Sequence, residues 1–361
     1  MESIIDNNTL FCRICNSKNL YPLDVGSLFF SPVSYAPKFH NYENFVCGSC
    51  GVVSSQPEPN EIDLITYYNN AYRQSDLAFK IENKTIDTLI NFRSSGRSFQ
   101  RAKNFYNMLK NTKNLNHHIE ITKKDTIIDF GAYQGMFLSA VSQIWGCKCV
   151  ATDYSLSGID FAKTTLGFTD SWVTRDIYKD KFKEKVRIAS MVHVLEHLRE
   201  PRRFLEHLRT NILKKNGILY IEVPNLYGIP LCDPTHFFTY SYSSLEYLLN
   251  ISGFKVLNIS TGIEPTDETF FARSKEENLM CIAISDKVLQ SHNIKNFNFI
   301  LFRKMLTKSY LKHSKNALIR YIVETKKHVF RCLIYFLFIF VIEIFSTKLS
   351  LKLAKYIGIR K

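Results

Sequence analysis

The sequence predicts an α/β protein: a doubly wound parallel sheet with a four-cysteine module before it and a basic helical tail after it. Three observations carry this expectation. Short apolar strands alternate with helical patterns from residue 119 to 286. Two C-x-x-C pairs stand near the N-terminus. The formal net charge of +14 on 361 residues is confined to the C-terminal end. At 45% hydrophobic and 22% charged, the composition is that of an ordinary globular chain.

Residues 1–60 hold F-C-R-I-C at Cys12 and Cys15 and V-C-G-S-C-G at Cys47 and Cys50. Paired C-x-x-C turns at the two ends of a small sheet predict a four-cysteine ribbon around structural zinc, with Gly48 and Gly51 supplying unusual backbone angles. Four thiolates leave no open position, so the metal is not expected to be catalytic. The chain has nine cysteines, and its first residues, M-E-S-I-I-D-N-N, lack the basic start of a secretory signal. Metal ligation in a cytoplasmic protein is the expectation, rather than a disulfide framework.

Pro57, Pro59 and Asn60 mark a linker. Residues 61–118 then form an aromatic linker and helical lid. Helical spacing puts Tyr68 and Tyr72 on one face, with Tyr67 and Arg73 beside them; that face either packs on the domain or covers a site. Arg101 to Leu115 reads as a helix.

Residues 119–286 form the main domain. Thr126 to Phe130 is a buried strand, followed by the turn G-A-Y-Q-G and a helix with Met136, Phe137, Ala140, Val141 and Ile144 on its apolar face. Lys148 to Thr152 is the second strand and ends on Asp153. Glycines at 131 and 135 allow close backbone approach to a ligand, and an acid at the next strand end suits a ribose diol. Dinucleotides and S-adenosylmethionine (SAM) both fit such a unit. Further on, a helix is expected at Ser155–Leu166 and a short strand at Ser171–Thr174. An apolar strand follows at Arg187–His193, then a helix at Arg199–Leu213 with Pro201 in its first turn. A strand at Gly217–Val223 and a helix at Ser243–Ile251 precede a final strand pair at Phe254–Ser260 and Leu279–Ser285.

The run V-H-V-L-E-H-L-R-E-P-R-R-F-L from Val192, then N-G-I-L-Y-I-E-V-P-N, then D-P-T-H-F-F-T-Y-S-Y-S-S-L and S-G-F-K-V, resembles class I SAM-dependent methyltransferases over residues 119–285. The glycine turn departs from G-x-G-x-G at Tyr133. Its form, glycine only at the two ends with a Phe-Leu pair after it, is similar to that of sugar C-methyltransferases, which also carry a four-cysteine zinc domain ahead of the fold. Those enzymes show a His-Glu-His triplet after the fifth strand. Only the last histidine stands here, as His236, with Thr235 in place of the glutamate. The resemblance implies a Rossmann-like methyltransferase sheet that binds SAM. Asp129 would orient its methionine end and Gly131 and Gly135 would let the backbone approach. Asp153, with Tyr154 beside it, would take the ribose, while Asp176 and Ile177 would meet the adenine. An acceptor-side base would come from His236, His197 or His193, since histidine titrates near neutrality.

Methylation of a sugar, nucleotide- or lipid-linked, in surface polysaccharide synthesis is the leading expectation. Another small aromatic or lipid acceptor, or a nucleic acid, stands as the alternative. The nucleic-acid reading lacks an N-P-P-Y-type motif, and residues 1–286 balance 31 basic against 31 acidic residues. Residues 287–361 carry sixteen Lys/Arg against Glu324 and Glu343. Within them lies the apolar run C-L-I-Y-F-L-F-I-F-V-I, eleven residues from Cys332 to Ile342. A span needs about 20 apolar residues, and basic clusters flank this run on both sides. The tail is therefore expected to lie on an anionic membrane surface, placing a cytoplasmic enzyme at the periphery of the membrane.

Overall fold

The computed structural model describes residues 10–23, 43–56, 96–112, 121–228, 236–261 and 278–286. Pro57, Pro59, Asn60, Tyr67, Tyr68, Tyr72, Arg73, Thr235 and the tail 287–361 lie outside the described residues. Among the described residues no helix is long and apolar enough to cross a membrane.

The larger sheet has seven strands. Its parallel part is built from β4 (Thr126–Phe130), β5 (Lys148–Asp153), β6 (Trp172–Val173), β7 (Val186–Val192) and β8 (Leu213–Pro224). The antiparallel pair β10 (Phe254–Thr261) and β11 (Asn278–Ser285) completes it, in the order β10-β11-β8-β7-β4-β5-β6. From β4 the chain runs outward through β5 and β6, then returns to the other side for β7 and β8. The switch point therefore falls between the carboxyl ends of β4 and β7, where such sheets bind ligands.

Alternation along β4 explains why both sheet faces are covered. Ile127 packs into one apolar cluster with α1 (Arg97–Asn111), α2 (Met136–Trp145) and α3 (Leu156–Thr164). Ile128 and Phe130 pack into the other, with α4 (Pro201–His207) and α5 (Tyr242–Ile251). Phe105 of α1 stacks on Tyr220 of β8 with ring centroids 4.4 Å apart and meets Trp145 edge-on. Burying a ring of that size contributes roughly 2–3 kcal/mol.

Several boundaries differ from the sequence reading. Helix α1 starts at Arg97, ahead of the expected Arg101, with Gly96 as its N-cap. Helix α5 is set by a capping box: the Ser241 hydroxyl accepts from the Ser244 amide, and the Ser244 hydroxyl accepts from the Ser241 amide. The helix expected to reach Leu213 is α only to His207 and continues as a π turn, Leu208–Ile212. Strand β8 starts early because Leu213 pairs with Val186. The ladder then shifts before Ile188 meets Ile218, with Asn216 left-handed at φ 59°. This irregularity lies in how β8 pairs with β7, which apolar periodicity does not encode.

The smaller sheet is antiparallel: β1 (Leu20–Leu23), β2 (Glu43–Cys47), β3 (Val53–Gln56) and β9 (Phe238–Thr239). Its fourth strand comes from the main domain, just past His236. Cys12, Ile14, Cys47 and Cys50 share the apolar cluster of α4 and α5, so the N-terminal module is packed onto that face.

Candidate active site

The turn after β4 is held open by its backbone conformations. Gly131 has φ 70°, and a Cβ there would lie 2.3 Å from Val194 Cγ2. The amides of Gly131 and Ala132 donate to the Thr152 carbonyl at 2.8 and 3.1 Å. Tyr133, where the commoner motif has glycine, is itself left-handed at φ 48°. Its amide donates to Asp153 Oδ2 at 2.8 Å, and the Ser155 amide donates to Asp153 Oδ1 at 2.7 Å. Asp153 thus ties the glycine turn to the start of α3. Gly135, at φ 75°, is the N-cap of α2. Gly158 lets the first turn of α3 approach, since a Cβ there would stand 2.9 Å from the Tyr133 carbonyl carbon and oxygen. Sequence reasoning missed Gly158, because it lies inside a helix and belongs to no glycine motif. Gln134 in the same turn is buried, and no hydrogen-bond partner among the described residues reaches its Nε2.

Asp129 is buried one residue before the end of β4 and accepts a hydrogen bond from Ser190 of β7 at 2.7 Å. Burial pushes its carboxyl up to about 7, against the opposing effect of the Ser190 hydroxyl. Tyr154 is exposed beside Asp153. The last two expected cofactor residues are placed differently from one another. Asp176 is partly exposed and paired with Lys179 at 2.8 Å, which holds its carboxyl below the usual value. Ile177 is packed into the apolar core.

Opposite the turn, the ends of β7 and β8 gather a buried ionic cluster. His193 follows β7 at φ 56°, fixed by its amide donating to the Glu222 carbonyl at 2.8 Å. Its Nδ1 lies 3.2 Å from Glu196 Oε1, and its Nε2 lies 3.4 Å from Glu222 Oε1. Burial works against a charged imidazole, but the two carboxylates outweigh it and His193 is raised above its ordinary value. Glu222 also accepts from Arg101 Nε at 3.0 Å and from Asn278 Nδ2 at 2.9 Å. Burial alone would raise Glu222; Arg101 and His193 prevail and hold it at about 2. Glu196, fully buried, is likewise lowered against burial by His193, His197 and His236. His197 Nε2 is 3.9 Å from Glu196 Oε1, and the His197 and His236 rings meet edge-on with centroids 4.7 Å apart. The three expected histidines therefore share one cluster through Glu196. Sequence reasoning missed Arg101 and Asn278: one arrives from α1 and the other from the antiparallel strand β11, and no local pattern links either to the fifth strand.

The four thiols of Cys12, Cys15, Cys47 and Cys50 lie within 4.8 Å of one another, with Cys12–Cys50 and Cys15–Cys47 at 3.5 Å. Their two turns repeat one geometry. The Asn16 amide donates to the Cys12 carbonyl and the Gly51 amide to the Cys47 carbonyl, with Asn16 at φ 60° and Gly51 at φ 69°. Gly48 does not supply a left-handed angle as expected; a Cβ there would meet Asn19 at 2.5 Å and Tyr21 at 2.6 Å. Four converging sulfurs on two such turns are a donor set that fits zinc. Between the first two cysteines, Arg13 lies over the Phe238 ring, 4.5 Å from its centroid, and its Nη2 donates to the Phe237 carbonyl at 3.4 Å. The Ser55 hydroxyl donates to the His236 carbonyl at 3.3 Å. The cysteine module thereby grips the segment that carries His236.

Residues 97–259 match the model of a family described as "Methyltransferase domain". No curated protein matches the chain. Similar chains among solved structures include the following three. One is in the complex between the Haloferax volcanii Trm112 methyltransferase activator and a methyltransferase, at 14% identity over 56% of this chain and 100% of that one, TM-score 0.40. A second is a SAM-dependent methyltransferase from Listeria monocytogenes, at 13% identity over 52% and 100%, TM-score 0.40. The third is a SAM-dependent methyltransferase from Aquifex aeolicus, at 16% identity over 56% and 100%, TM-score 0.40.

Proposed function

We propose that this chain, whose residues 97–259 match a methyltransferase-domain family, is a SAM-dependent methyltransferase that methylates a sugar, nucleotide- or lipid-linked, in surface polysaccharide synthesis. The observation that carries the reading is the position of His236. It stands beside His197, past the carboxyl end of β7, and the glycine turn and Asp153, past the ends of β4 and β5, would form the donor crevice next to it.

SAM, when bound, supplies a methyl group already activated on a sulfonium. The protein's task is to position the acceptor and take its proton. Asp153 would accept from the ribose hydroxyls, Asp129 would face the amino end, and the turn at Gly131–Gly135 would bring backbone close to the donor. The acceptor's proton leaves to an imidazole. His236 and His197 suit that role better than His193, which two carboxylates already hold toward its charged form. The four cysteines would hold one structural zinc. The basic tail would keep the enzyme at an anionic membrane surface.

Incubation of the full-length protein with labelled SAM and a panel of nucleotide sugars tests the reading. Label in at least one sugar is the expected result. Label only in nucleic acid or in aromatic or lipid hydroxyls would overturn it.

A further inference from the structure

The cluster that faces the donor crevice contains a group that acid–base chemistry leaves unexplained. Glu196 is fully buried, one of its oxygens is taken by His193 Nδ1 at 3.2 Å, and the other, Oε2, has no hydrogen-bond donor among the described residues. A buried carboxylate oxygen left unsatisfied costs about 1–3 kcal/mol, and more when charged. His197 and His236 converge on the same carboxylate: one ligand atom from each of Glu196, His197 and His236 lies within 4.8 Å of the other two. Three atoms no farther apart than this surround a point about 2.8 Å or less from each. Bonded nitrogen and oxygen ligands stand at roughly 2.0–2.2 Å, so small side-chain movements close the difference.

We propose that Glu196, His197 and His236 bind a divalent first-row transition ion on the acceptor side of the site. The donor set decides the class of ion. Two imidazoles and one carboxylate favour manganese, iron, cobalt, nickel or zinc over calcium and magnesium, which take oxygen ligands. His193 then has a defined purpose: it orients the carboxylate from behind, and Glu222 and Arg101 fix His193 in turn. Three protein ligands leave positions open on an ion that takes four to six, and with the ion bound His197 and His236 act as ligands in place of the base: an acceptor hydroxyl on the ion would be acidified by it and lose its proton to solvent. Those positions suit an acceptor with two adjacent oxygens, as in a sugar diol; this last assignment rests on the proposed sugar substrate, whereas the ion site does not.

The test uses the full-length protein with zinc already on its four cysteines, titrated with Co2+ alone, without SAM or acceptor. One further ion per chain is expected, with the weak visible bands of nitrogen and oxygen ligation and no thiolate-to-cobalt charge-transfer band. His197→Ala and His236→Ala should each weaken this binding by at least about tenfold while keeping the cysteine-bound zinc and the SAM affinity, which report an intact fold. Glu196→Gln provides a third variant of closer shape. Absence of a second ion in the wild type would overturn the proposal. So would variants that take up cobalt as the wild type does. Because the readout is metal content, a failure to label any sugar would leave this result standing, and the converse also holds.

Discussion

The amide of Tyr133 is bonded to the carboxylate of Asp153 at 2.8 Å, so the residue expected to hold the donor's ribose also holds the turn that approaches the donor. Asp153→Ala removes both at once. SAM affinity should fall by at least about 100-fold, since two charge-assisted hydrogen bonds of roughly 1.5–3 kcal/mol each are at stake. Titration calorimetry checks this, and unchanged affinity would rule out the donor crevice.

Asp129 predicts a pH dependence. Its carboxyl is pushed up to about 7 by burial, and the donor's amino end favours the ionised form. SAM affinity should therefore rise as pH increases through 7, and Asp129→Asn should flatten the profile. Stability of the free protein runs the other way. Between the ordinary carboxyl value of 3.8 and about 7 the folded state keeps a proton that the unfolded state has lost, so Asp129 makes stability fall as pH rises across that window.

Arg101→Ala should destabilise the protein by about 3 kcal/mol, because it strips the guanidinium from Glu222, a fully buried carboxylate. Denaturant midpoints measure the loss. Arg101→Met with Glu222→Gln should recover part of it by removing the stranded charge.

Cys12→Ser should abolish the metal content of the N-terminal module and lower methyl transfer while SAM affinity holds. The effect travels through β3, which pairs with β9, and through Ser55, which donates to the His236 carbonyl. Metal analysis, calorimetry and turnover on the same preparation separate the three quantities. Loss of SAM affinity in parallel with turnover would contradict this route.

Truncation before Lys287 should release the protein from anionic vesicles and leave SAM binding unchanged, because the sixteen basic residues beyond that point carry the whole excess charge. Equal flotation of both forms with vesicles would show that the tail is not the anchor.

Much of this architecture is legible in the chain. The strands at 126–130, 148–153, 186–192 and 278–285 are short apolar runs, and the four cysteines declare themselves by spacing. Tyr133 is visible as a departure from the glycine pattern, but its left-handed backbone is not. What stays hidden depends on contacts between distant segments. Arg101 and Glu222 meet across 121 residues, and Asn278 and Glu222 across 56. The left-handed Asn216 and the register shift beside it are set by how β8 must lie against β7. Periodicity records which face a residue buries, and says nothing of which segment will be waiting there.

The strand β9 has a consequence for synthesis. Val53 pairs with Thr239, so β3 offers an open edge until the chain has grown 186 residues further. At roughly 5–20 residues per second that interval is on the order of ten to forty seconds. An unpaired edge held open that long is a site for wrong pairing. The small sheet behind the cysteine turns is therefore completed late, by a strand that arrives after most of the larger sheet has emerged.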